Sequence, residues 1–127
     1  MINFADNTVF HLKPIDTAKI LNEVTGLLIN SEIVLNAYQT IRDQVVFTNK
    51  RIICIDVQGI TGKRKDFSSL PYSKIQYFSV RTPGFSGAVP NCELQLWFNN
   101  GFTAHFEISG ECNIIEIGRS ISNYILE

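Results

Sequence analysis

The sequence has few of the residues that most chemistry needs. It has two histidines, one methionine, one tryptophan and three cysteines in 127 residues. Cys54, Cys92 and Cys112 form no Cys-x-x-Cys pair and are odd in number. That counts against a disulfide scaffold, which carries more cysteines in even number, and against a zinc site built on paired thiolates. The expectation is therefore three reduced cysteines in a reducing cytoplasm, packed as small apolar residues. His11 and His105 stand far apart in sequence with no ligand or base at motif spacing, so no catalytic residue, metal site or cofactor is assigned. A Cys–His pair would meet only in space, and Cys54, alternating with Ile53 and Ile55, could face outward. No run approaches the ~18 apolar residues of a spanning helix. The start, Met1 to Asp6, lacks the basic-then-apolar pattern of a signal peptide.

What is present fits one folded domain: 45% hydrophobic and 18% charged residues, with a net charge of −1. A near-neutral chain has no field favouring nucleic acid. The charge is unevenly spread, however. Gln39 to Arg81 carries eight basic and three acidic residues, a net +5, and the remainder is −6. Such a division allows basic and acidic patches on different sides of the domain.

The hydrophobic period divides the chain. After an arm from Met1 to Pro14, Asp16 is a candidate N-cap, and Ile20, Leu21, Val24, Leu27 and Leu28 recur at helical spacing. Residues 1–31 read as an arm and helix packed on the domain formed by 32–127. From Glu32 the period becomes two, predicting seven strands: Ile33–Gln39, Gln44–Phe47, Arg51–Val57, Lys63–Ser69, Ile75–Arg81, Cys92–Phe98 and Phe102–Ile108. A helix over Glu111–Leu126 closes the chain, with Ile114, Ile117, Ile121, Tyr124 and Ile125 along its buried side.

The last hairpin can be read further. Leu94, Leu96 and Phe98 share a face, as do Phe102, Ala104 and Phe106. Only a three-residue loop, Asn99-Asn100-Gly101, pairs like with like: Leu96 opposite Ala104, Trp97 opposite Thr103, Gln95 opposite His105. Trp97 then stands on the outer face.

Seven strands followed by one amphipathic helix match the pleckstrin-homology architecture, a bent antiparallel barrel with a helix plugging one end. The central motifs sharpen the match. Arg42-Asp43, Phe47-Thr48-Asn49-Lys50-Arg51-Ile52-Ile53, Asp56, Gln58-Gly59-Ile60-Thr61-Gly62-Lys63, Pro71-Tyr72-Ser73-Lys74-Ile75 and Phe78-Ser79-Val80 resemble the bacterial pleckstrin-homology domain family. The likeness runs from about Glu32 to the C-terminus. It implies a mainly β fold with the capping helix, here with an extra N-terminal helix. It also implies a cytoplasmic setting and a tendency to form symmetric oligomers, but no particular activity or ligand. One departure is that Arg81 to Gly87 lacks the acidic stretch that commonly follows the Phe-Ser-Val strand.

Three features are candidates for function. Thr48 to Arg51 reads first as a hairpin turn, and second as an anion contact through Lys50 and Arg51. Gly59-Ile60-Thr61-Gly62-Lys63 is two residues short of a P-loop and leads into a strand, which rules out nucleotide hydrolysis. It is either a solvated basic hairpin or a phosphate contact through Lys63, Arg64 and Lys65. Trp97, with Phe85 and Val89 on the long loop from Pro83 to Pro90, offers an apolar interaction surface, unless the loop folds back onto the barrel and Trp97 packs beneath the N-terminal helix. These features predict a non-catalytic binding module. Its first expected partner is itself, as a cyclic homo-oligomer, or another protein. An anionic membrane read through the basic residues is the second reading.

Overall fold

The computed structural model describes residues 9–82, 91–109 and 114–126, with backbone alone at Val9, Phe10 and Asn91. Eight strands form one curled sheet: β1 (Val9–Ile15), β2 (Val34–Gln39), β3 (Gln44–Thr48), β4 (Arg51–Gln58), β5 (Arg64–Pro71), β6 (Ile75–Arg81), β7 (Asn91–Phe98) and β8 (Thr103–Ser109). A short helix α1 (Asn22–Leu27) precedes β2, and α2 (Ile114–Ile125) follows β8. The strand order is β5-β4-β3-β2-β1-β8-β7-β6.

All seven strands read from periodicity are present, and the count is corrected by one. Part of the N-terminal arm is β1, which pairs antiparallel with β2 and parallel with β8, joining the two halves of the sheet. The N-terminal helix is also smaller than its pattern suggested. Asp16 does cap, accepting a hydrogen bond from the Ala18 N–H, but what it caps is a 3-10 turn, Thr17–Lys19. The α-helix that follows has six residues. An isolated helix this short is not self-supporting, so packing must hold it.

Gln44 provides part of that hold. On the outer face of β3 its side-chain carbonyl accepts from the Leu21 N–H (3.0 Å) and its amide donates to the Lys19 carbonyl (3.2 Å). Val24, Ile20, Leu21 and Leu28 then pack on Ala37, Val46, Ile53 and Ile55. This layer explains the uninterrupted apolar runs of β3 and β4, which are buried on both faces.

The main core lies inside the curl. Leu12, Val45, Phe47, Ile52, Cys54, Leu94, Leu96, Phe106 and Ile108 meet Ile114, Ile117 and Ile121 of α2 there. Cys54, 2% exposed, faces this interior and not the outside. Helix α2 approaches β6 closely: a Cβ at Gly118 would sit 3.3 Å from a Val80 methyl. Ile125 packs against the core, but Tyr124, expected to be buried, is 39% exposed. Its ring leans edge-on against buried Tyr72 (5.8 Å between centroids), and the Lys50 ammonium lies 6.0 Å from its centroid.

The β7–β8 hairpin has the three-residue loop and the register read from the sequence. Leu96 faces Ala104, Trp97 faces Thr103 and Gln95 faces His105. The Phe98 N–H donates to the Phe102 carbonyl (2.9 Å), and Gly101 adopts φ +84°, a conformation that excludes most side chains.

Candidate interaction surface

The two halves of the sheet differ on their outer faces. Over β2–β4 that face is covered by the segment around α1. Over β6–β8 the core residues of each strand point inward, so the alternate residues Tyr77, Ser79, Arg81, Glu93, Gln95, Trp97, Thr103, His105 and Glu107 form the outer face. Trp97 is not beneath the N-terminal helix, which packs on the other half of the sheet. A register shift between Ile75 and Tyr77 brings Tyr77 opposite Trp97. The two rings lie 4.3 Å apart at 32°. Tyr77 is 57% exposed and Trp97 is half-buried. Toward the other end of the same face, the Arg81 guanidinium meets Glu93 at 2.9 Å, His105 reaches the second Glu93 oxygen at 3.5 Å, and His11 of β1 stands 3.5 Å from Glu107. The face is thus an aromatic pair beside a polar band that holds the Arg81–Glu93 ion pair.

The basic residues fall into two groups. The Phe-Thr-Asn-Lys-Arg motif is a turn held by its own side chains. The Thr48 hydroxyl accepts from the N–H groups of Lys50 and Arg51, and Asn49 bonds to the backbone at Ser31 and Ile33. The Arg51 guanidinium is committed within the domain. Its Nε and one terminal nitrogen reach both oxygens of Glu32 (2.9 and 3.1 Å). That nitrogen also meets the Leu27 carbonyl, and the other meets the Ser69 hydroxyl. Glu32, a buried residue, also accepts from the Thr48 hydroxyl (2.7 Å) and the Ile29 N–H (3.0 Å). Burial alone would push its carboxyl up, but the hydrogen bonds from Arg51, Thr48 and Ile29 and the Arg51 charge outweigh this and hold it below the usual range. Lys65 pairs with Glu23 of α1 at 2.6 Å. Lys63 and Arg64 are exposed and have no internal partner among the described residues. Phe85 and Val89 lie outside the described residues.

Burial pushes the Cys54 thiol well above its ordinary value, which makes it a poor nucleophile. Cys92 is disulfide-bonded, which corrects the expectation of three reduced thiols and removes that ground for a reducing compartment. Among the described residues no group of three or more histidines, cysteines or carboxylates could hold a metal, and no helix is long and apolar enough to cross a membrane.

The whole of this framework, including β1, falls within a match to the bacterial PH domain family over residues 3–125. The chain belongs to that family. A pleckstrin-homology domain protein of Shewanella loihica PV-4 is 32% identical, with a TM-score of 0.73 over 91% of this chain and 97% of that one. The pleckstrin-homology domain of Shewanella amazonensis SB2B is also 32% identical, with a TM-score of 0.59 over 89% and 90% of the two chains. The uncharacterised protein YjqA of Bacillus subtilis is 38% identical over 98 residues, 77% of each chain. In this PH domain, Tyr77 is the surface residue that periodicity did not single out. Its local signal, an aromatic within an alternating strand, was masked by the register shift that turns it outward.

Proposed function

We propose that this PH domain is a non-catalytic binding module that self-associates through the outer face of β6–β8. The observation that carries the reading is the Tyr77–Trp97 stack on the half of the sheet that α1 leaves bare. Large aromatics side by side at the surface are typical anchors of an interface, where burial rewards them without much loss of side-chain freedom. The partner argued for is a second copy, on grounds of charge. Glu93 and Glu107 stand toward the far end of the aromatic face, where Arg81, His105 and His11 approach them, while Lys63 and Arg64, without an internal partner among the described residues, extend from the β4–β5 hairpin beside β5, the opposite edge of the sheet from β6. Two unlike surfaces on one molecule favour a head-to-tail contact, which closes into a ring when the rotation permits. Light scattering across a concentration series tests this. The native protein runs as an oligomer, and Trp97→Ala or Tyr77→Asp shifts it toward monomer by at least ~30-fold in dissociation constant, the effect of removing one anchor worth ~2 kcal/mol. A native protein that stays monomeric at high micromolar concentration ends the proposal.

The second reading, an anionic membrane surface, rests on Lys63 and Arg64. Arg51 and Lys65 weigh against it because their charges are already used within the fold. Co-sedimentation with phosphatidylserine vesicles that is lost in Lys63→Ala/Arg64→Ala would favour it over self-association.

A further inference from the structure

The two edge strands of the sheet, β5 and β6, are consecutive in the chain, and the 3-10 turn Tyr72–Lys74 links them at one corner of the curl. The β7–β8 loop leans on that corner, with the Asn99 N–H donating to the Lys74 carbonyl at 3.2 Å. Between the loop and the end of β5 lies a pocket of about 370 Å³. Its interior is apolar, formed by Leu70, Pro71, Phe98 and Phe102. Phe98 and Phe102 pack edge to face, 5.4 Å between centroids, and present a rigid aromatic wall.

The rim has one sign. Lys74 is exposed and its ammonium has no hydrogen-bond or ion-pair partner among the described residues, and no carboxylate lines the pocket. The Asn100 carbonyl oxygen is turned inward to the Phe102 N–H (3.1 Å), which leaves its amide as a donor. The Ser69 hydroxyl already accepts from Arg51. An apolar slot with a cation and an amide donor at its mouth is complementary to a molecule with an apolar body and one anionic end.

We propose that this corner binds a small amphipathic carboxylate, a medium-chain acyl or aryl acid, with its apolar body against Phe98, Phe102 and Leu70 and its carboxylate on Lys74. The size fits. A cavity of ~150 Å³ accepts a single benzene ring, so one more than twice as large takes a two-ring or eight-carbon body. The site is separate from the Tyr77–Trp97 face, and neither proposal requires the other.

The probes are octanoate and 2-naphthoate, titrated into the full chain and followed by amide chemical shifts. Octanol is the neutral control. Binding is expected with a dissociation constant on the order of 1 mM, by the usual yield per atom for a ligand of this size. Shifts should centre on Leu70, Lys74, Asn99, Asn100 and Phe102. Lys74→Met keeps the apolar stem and removes the charge. It should weaken octanoate at least 5-fold and leave octanol unchanged. Phe102→Leu, a milder change than truncation, should weaken both. Carboxylate and alcohol binding equally, an unaffected Lys74→Met, or shifts centred elsewhere would each overturn the proposal. So would the same amides shifting on dilution without ligand, because that would mean a second copy fills the pocket.

Discussion

Arg51→Ala should be among the most damaging single changes outside the apolar core, and its cost can be worked from the contacts. The Glu32 side chain has no exposure and that of Arg51 is 20% exposed. Removing the guanidinium deletes two charge-assisted bonds to Glu32, one to the Leu27 carbonyl and one to Ser69, and leaves a carboxylate buried with two remaining donors. Breaking a buried pair from one side costs about 3–5 kcal/mol, and the partial exposure of Arg51 argues for the lower end. For a domain of this length that is a fall in Tm of roughly 10–15 °C. The pH dependence has a definite sign. Glu32 is held below its ordinary value of 4.5, so its contribution is complete above that pH and is lost as pH falls through the lowered folded value. Without Arg51, burial still opposes ionisation but only the Thr48 and Ile29 hydrogen bonds counter it, so the carboxyl titrates higher than in the native protein. Arg51→Ala therefore costs less at pH 4 than at pH 7. Glu32→Gln/Arg51→Ala should recover part of the loss, with a coupling energy of about 2 kcal/mol in a double-mutant cycle from urea unfolding. A single-mutant cost below ~1 kcal/mol, or additive behaviour in the cycle, would refute the reasoning.

Ile121→Asp places a charge where the side chain is fully buried against the barrel interior, and thermal unfolding should show a loss of 3 kcal/mol or more, or no folded protein. Asp56 and Asp66 are cross-strand neighbours, and one Asp56 oxygen is buried without a hydrogen-bond partner among the described residues, so Asp66→Lys should raise stability by roughly 0.5 kcal/mol; a lower Tm would show that the neighbouring turn needs the acid. Cys54 should not react with a thiol reagent in the native state but should react at once in denaturant; fast native labelling would contradict its burial.

What was legible in the sequence is what short-range pattern encodes. Strands β2 to β8 alternate, or run continuously apolar, within windows of five to eight residues, and turn chemistry separates them. The β7–β8 register followed because only one loop length aligns the apolar faces. Strand β1 was missed because its partner β8 is ~95 residues away and Pro14, which normally argues against a strand, sits near its end, where the ladder tolerates it. The Arg51–Glu32 pair was missed for a related reason. A basic residue in a turn motif looks solvent-facing until a carboxylate 19 residues earlier is found beneath it. Cys54 was ambiguous because β4 is apolar on both faces, which removes the alternation that assigns a side.

The same distinction between the strands explains why the candidate surface lies where it does. Strands β3 and β4 are apolar on both faces and need a cover, and the segment from Ile15 to Leu28 supplies one, fixed by Gln44. Strands β7 and β8 alternate strictly, Cys92-Glu93-Leu94-Gln95-Leu96-Trp97-Phe98 and Thr103-Ala104-His105-Phe106-Glu107-Ile108, so their outer face is polar enough to stand in water without a cover. Within that polar register Trp97 breaks the rule, and Tyr77 is brought beside it by a local irregularity in β6. The stability of the sheet does not call for an aromatic pair there, since the inward residues already fill the core. Two aromatic rings held together on a face that α1 does not cover are the ground on which the proposed contact with another surface rests.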